Sequence, residues 1–205
     1  RQMCIRDRTY TNFVYVQMIS DFIKKIIGQK TDVIASGFSG SFVTMACHNE
    51  KELFNKIMLV NPPSLTQLKQ MPNRKDRLLK AALEIPIFGT LVYHMIVSRD
   101  NINNLFIEKM YFNPFHVDNQ MADAYYEAAH KGGYYTRFLY SSLAAKYINI
   151  NICHALKALD NSIYIVEGET EPNGKAVTDD YCASNPAIEA VSYTHLRAHE
   201  TSQDL

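Results

Sequence analysis

The sequence predicts an α/β fold: a mostly parallel sheet with crossover helices, interrupted by a large helical insertion. Three observations predict it. Apolar runs of strand length, Thr31–Ser36, Lys56–Val60 and Asn161–Glu167, alternate with stretches of helical periodicity on either side of the insertion. Between Ser64 and Leu159 the pattern changes to consecutive amphipathic helices with no strand among them. Hydrophobic residues make up 47% of the 205 residues and charged ones 20%, the balance of an ordinary globular domain with a proper core.

Each element has its own signal. From Thr9 to Ile27 the apolar residues recur at helical spacing; Lys24 and Lys25 fall in the last turn and Gly28 follows as the C′ residue. Thr31–Ser36 reads as a short buried strand, and 41–48 as a buried helix of small and apolar residues. Lys56–Val60 is a second strand, stopped by Asn61-Pro62-Pro63. Within the insertion, helices are expected at 74–84, 88–97, 102–112, 118–130 and 134–147, with breaks at Pro72, Pro86, Pro114 and Gly132-Gly133. Strand character returns at 161–167, a last helix runs over 174–183, and 187–190 begins one more strand. The organisation expected is therefore a core at 9–63, an inserted cap at 64–159 and a core return at 160–190.

The formal net charge is zero, which removes the electrostatic case for nucleic acid or an anionic membrane surface as partner. No apolar stretch approaches the ~20 residues of a spanning helix, and no leader-like segment opens the chain. The four cysteines, 4, 47, 153 and 182, have neither metal-ligand spacing nor a disulfide pattern, which points to the cytoplasm. No metal or other cofactor is called for. The two ends read differently from the middle. Residues 1–8, Arg-Gln-Met-Cys-Ile-Arg-Asp-Arg, and the tail from Val191 with Ser-Tyr-Thr-His-Leu-Arg-Ala-His-Glu-Thr-Ser resemble translated sequencing-adapter strings of the kind that bracket metagenomic reading frames. The expectation is a natural segment of roughly 9–190, cut at both ends.

The chemistry-bearing feature is Gly37-Phe38-Ser39-Gly40-Ser41, set between an apolar strand and a buried helix. A serine on so sharp a strand-to-helix turn needs small residues two before and two after it, here Gly37 and Ser41. With Val60-Asn61-Pro62-Pro63, Pro86-Ile-Phe-Gly89-Thr90, Asn113-Pro114 and Tyr125-Tyr126-x-x-Ala-His130, this order resembles a branch of the α/β-hydrolases found in bacteria and plant plastids. Ser41 departs from that family's usual glycine, and a glycine-serine turn without a catalytic role stays open.

The resemblance implies a truncated α/β-hydrolase fold in which Ser39 is the nucleophile of a serine hydrolase. Ser39 would attack an ester, thioester or amide of a small apolar substrate, and the Gly40 N–H would supply half of the oxyanion hole. The other half would come from a loop upstream of Thr9. Gly168-Glu-Thr-Glu171 matches the spacing of the family's acid loop, which makes Glu171 the candidate acid, with Glu169 and Glu167 as rivals and an exposed acidic turn as the plain alternative. The acid-then-histidine order would admit only His195 or His199, both inside the adapter-like tail. His48, His94, His116, His130 and His154 precede the acid, so no general base is assigned. Tyrosines 111, 125, 126, 134, 135, 140 and 147, with Phe88, Phe106, Phe112 and Phe115, could line an acyl pocket or simply pack the cap. Two readings of the parent stay open, a serine hydrolase and a non-catalytic binding protein of the same fold; the piece itself is expected to be inactive.

Overall fold

In the computed structural model the described residues are 9–110, 119–168 and 174–193, and they form two compact units. One is a sheet unit made of 11–71 and 148–193; the other is a helical unit made of 9–10 and 72–147.

The sheet unit begins with helix α1 (Asn12–Phe22), which continues as a π-helical turn, Ile23–Ile27. Gly28 ends it at φ 70°, its N–H donating to the Ile23 carbonyl at 2.7 Å, as the C′ position demands. Strand β1 (Thr31–Ser36) leads into α2 (Ser39–Asn49), and β2 (Phe54–Val60) follows. After the helical unit come α9 (Cys153–Ala158), β3 (Ser162–Gly168), α10 (Gly174–Ser184) and β4 (Ile188–Tyr193). The strands lie in the order β1-β2-β3-β4, and every neighbouring pair is parallel. A helical crossover between successive parallel strands is the only short route back to the same end of the sheet.

The apolar runs become the core. Ile57 and Leu59 of β2, Ile163 and Ile165 of β3, Ala46 and Cys47 of α2 and Tyr181 of α10 are almost wholly buried in one cluster. Tyr15 stacks on Phe42 with ring centroids 4.9 Å apart, joining α1 to α2. Gly40 lets α2 sit against β2, since a Cβ there would meet Leu59 Cδ2 at 3.1 Å. By contrast β1 has a strand neighbour on one side only among the described residues, and Ile34 is 72% exposed.

The helical unit holds α4 (Arg74–Glu84), α5 (Pro86–Ile96), α6 (Arg99–Leu105), α7 (Asn119–Lys131) and α8 (Thr136–Ala144). A capping box between Asn73 and Asp76 starts α4. Its core is small: Phe106, Ile102 and Ala122 form one cluster, with Tyr126 packed on it.

Three expectations shift. The insertion is narrower than 64–159, because the short helix α3 (Leu65–Leu68) and α9 bury Leu65, Leu68 and Leu156 in the sheet core. Pro86, expected as a break, opens α5 instead, where its missing N–H costs nothing. Strand β4 runs on through Val191 and Ser192, which pair with Val166 and Glu167, although the sequence assigned them to the foreign tail. Their pairing continues the register of Ile188, Glu189 and Ala190 without a break.

Candidate active site

The carboxyl ends of β1, β2 and β3 are laced together by main-chain hydrogen bonds. The Gly37 N–H donates to the Val60 carbonyl at 2.9 Å, and the Asn61 N–H donates to the Val166 carbonyl at 2.9 Å. The Gly168 N–H in turn donates to Asn61 Oδ1 at 3.2 Å. Asn61 adopts φ 44°, a left-handed conformation that asparagine tolerates better than most residues. In open parallel sheets, ligands bind at this edge.

The turn from β1 to α2 is where structure and expectation differ. Its left-handed residue is Gly37, at φ 57°, and Ser39 is already the first residue of α2. The strained position of a strand–turn–helix elbow is the one that thrusts a side chain clear of the sheet. Here that position carries a glycine, and a Cβ built on it would meet nothing within 4 Å. The small flanking residues, counted from Gly37, are Ala35 and Ser39.

Ser39, half-buried, donates its hydroxyl to the Ser36 carbonyl at 2.6 Å. A carbonyl cannot accept the proton in a chemical step, and among the described residues no histidine or carboxylate hydrogen-bonds to Ser39. Ser41 is buried and donates to the Phe38 carbonyl at 2.7 Å, a packing role that fits its small size. Gly40, expected as an oxyanion donor, already gives its N–H to the Gly37 carbonyl at 3.1 Å. The first N–H groups of a helix lack intrahelical acceptors. With Gly40 and Ser41 turned back onto Gly37 and Phe38, the N–H groups of Phe38 and Ser39 have no acceptor among the described residues and face an anion or carbonyl oxygen site.

The candidate acid Glu171 and its rival Glu169 lie outside the described residues, as do His195, His199 and His116. Glu167 is described. It is the penultimate residue of β3 and buried, with its carboxylate accepting a hydrogen bond from the Thr178 hydroxyl, so its bond ties β3 to α10. His48 sits near the far end of α2 from Ser39, edge-on to His154 at 5.8 Å. In the helical unit His130 Nδ1 lies 2.8 Å from its own helix's Tyr126 carbonyl, and its ring stacks on His94 at 5.1 Å. Among the described cap aromatics Phe106 is buried and meets Tyr125 edge-on at 5.1 Å, whereas Phe88 is exposed. Burial pushes the Cys47 thiol up to about 11 and also raises that of Cys182, which disfavours the thiolate at both.

The chain as a whole superposes on solved structures at low sequence identity. A carboxylesterase of the thaumarchaeon Nitrososphaera gargenis matches with a TM-score of 0.60 at 14% identity, over 92% of this chain and 65% of that one. A 2-hydroxy-6-oxo-6-phenylhexa-2,4-dienoate hydrolase from a Rhodococcus species gives 0.64 at 14%, over 89% and 63%. An α/β-hydrolase enzyme from a Medee basin deep-sea metagenome library gives 0.59 at 11%, over 90% and 64%. This chain has the α/β-hydrolase fold. It spans 63–65% of the length of these α/β-hydrolase structures. No protein-family profile matches the sequence, and no curated protein matches it. At these identities the likeness extends to the fold, and chemistry has to be argued from the site.

The signal for Gly37 was present in the sequence. Reading the small-x-apex-x-small pattern two residues earlier, as Ala35-Ser36-Gly37-Phe38-Ser39, places a glycine where positive φ is needed.

Proposed function

We propose that this chain is the central part of a longer α/β-hydrolase-fold protein that binds a small apolar carbonyl compound without forming an acyl-enzyme. The observation that carries the reading is Gly37 at the left-handed apex, where no side chain stands to attack a carbonyl carbon. The free N–H groups of Phe38 and Ser39 could still hold a carbonyl oxygen at the sheet's carboxyl edge. A hollow of about 500 Å³ runs beside Met18, Phe22, Ile34, Ser39 and Val43 along the unpaired edge of β1. We read it as the seat of a further strand of the parent, because a parallel edge strand leaves a row of N–H and C=O groups to be paired. In this reading the ends, 1–8 and the tail from 191, are foreign to the parent.

The second reading, a serine hydrolase acting through Ser39 with Glu171 orienting a histidine supplied by the parent, is favoured by one observation: the Ser39 hydroxyl stands on the same turn, half-buried and beside that hollow. A fluorophosphonate probe applied to the full-length parent separates the two. No labelling of the wild type is the expected result. Labelling of the wild type that Ser39→Ala abolishes would overturn the proposal and establish Ser39 as nucleophile.

A further inference from the structure

The helical unit exposes apolar side chains on α4 and α5 that the site at the sheet edge does not use. On α5, Ile87, Leu91 and Met95 recur every fourth residue, so they form one stripe along the helix. All three are exposed, as are Phe88 beside them and Leu78, Leu79 and Ile85 on α4 and its junction with α5. An exposed apolar run of this extent, far beyond scattered single residues, marks an interaction surface.

Charge says what covers it. The first turns of α4 carry Arg74, Lys75 and Arg77, all exposed and none in an ion pair among the described residues. The acids of the two helices are engaged: Asp76 caps α4 and pairs with Lys146 at 3.4 Å, and Glu84 pairs with the buried Lys80. The start of α4 is therefore cationic and the outer side of α5 apolar, although the whole chain is neutral.

The length and composition of the same two helices are compatible with lipid. No single helix among the described residues is long and apolar enough to cross a membrane, but α4 and α5 together have the length and apolar content, bent by 96° at their junction. A pair with that composition and that bend suits lying in the interface, with the apolar stripe among acyl chains and the cations among headgroups. Gly89 permits the tight corner: a Cβ there would lie 1.7 Å from the Leu83 carbonyl oxygen.

We infer that the α4–α5 surface docks this protein on an anionic lipid bilayer. The overall neutrality that argued against a membrane averages over the chain, whereas a headgroup layer senses charge within about a Debye length of ~8–10 Å.

Co-sedimentation of the full chain with vesicles of phosphatidylcholine alone and of phosphatidylcholine with phosphatidylglycerol tests it. Binding should be confined to the anionic vesicles and should weaken with salt. Each of Arg74→Ser, Lys75→Ser and Arg77→Ser should lower the partition coefficient by about fivefold. Leu91→Ser and Met95→Ser should lower it by about tenfold each. Leu139→Ser removes an exposed leucine from α8, a helix outside the α4–α5 pair, and should leave binding unchanged with all variants equally folded by circular dichroism. Absence of binding to anionic vesicles would overturn the inference. So would equal binding to both vesicle types, or a loss at Leu139 as large as at Leu91, which would mean general adsorption.

Discussion

Strand β3 and helix α5 are both dense in apolar residues, and the molecule uses them in opposite ways. In the sheet unit, Ile163 and Ile165 are at most 1% exposed; in the helical unit, Ile87 is 84% exposed and Met95 63%. The reason is geometric. An inner strand of a parallel sheet has neighbours on both edges and cover on its faces, so every residue of an apolar run finds a partner. A helix buries a stripe, and the α5 residues turned inward, Tyr93 and Gly89, take that stripe. Apolar content in excess of one stripe is left facing outward, where it is a binding surface or a liability.

That contrast can be broken or sharpened by substitution, with urea unfolding as the readout. The largest effect is expected at Ile165→Ala, which empties a fully buried site in β3 and should cost about 4 kcal/mol. Gly89→Ala should cost about 3 kcal/mol, since the added methyl meets the Leu83 main chain and the α4–α5 corner must open. Gly37→Ala meets no atom but must hold a left-handed φ, at a cost of about 1.5 kcal/mol. Asn73→Ala removes one arm of the capping box and should cost about 1 kcal/mol. Leu91→Ala should stay within about 0.5 kcal/mol, the range of a plain surface change. A Leu91→Ala loss comparable to that of Ile165→Ala would mean the stripe is part of a core, and the contrast between the units would fail.

The elbow and the core differ in how far they could be read. Strands β1, β2 and β3 and helices α4, α7 and α10 were visible because hydrophobic period and caps are local signals. The boundaries of the insertion were not, since Leu65, Leu68 and Leu156 look like any amphipathic residues until the sheet core closes over them. At the elbow the motif Gly-Phe-Ser-Gly-Ser drew attention to its central serine. The register of the turn depends on where β1 stops pairing with β2, and the last paired residues are Ser36 and Val60. That places the apex at Gly37 and folds Ser39 into α2.

By itself the sequence determined that a parallel sheet with crossover helices would form around an inserted helical segment, because periodicity and punctuation act over a few residues. Only the tertiary structure decided which residue of the turn stands proud, whether Gly40 has an N–H to spare, and which apolar helix faces stay uncovered. Those depend on pairing register and on burial by distant segments, and no local pattern carries either.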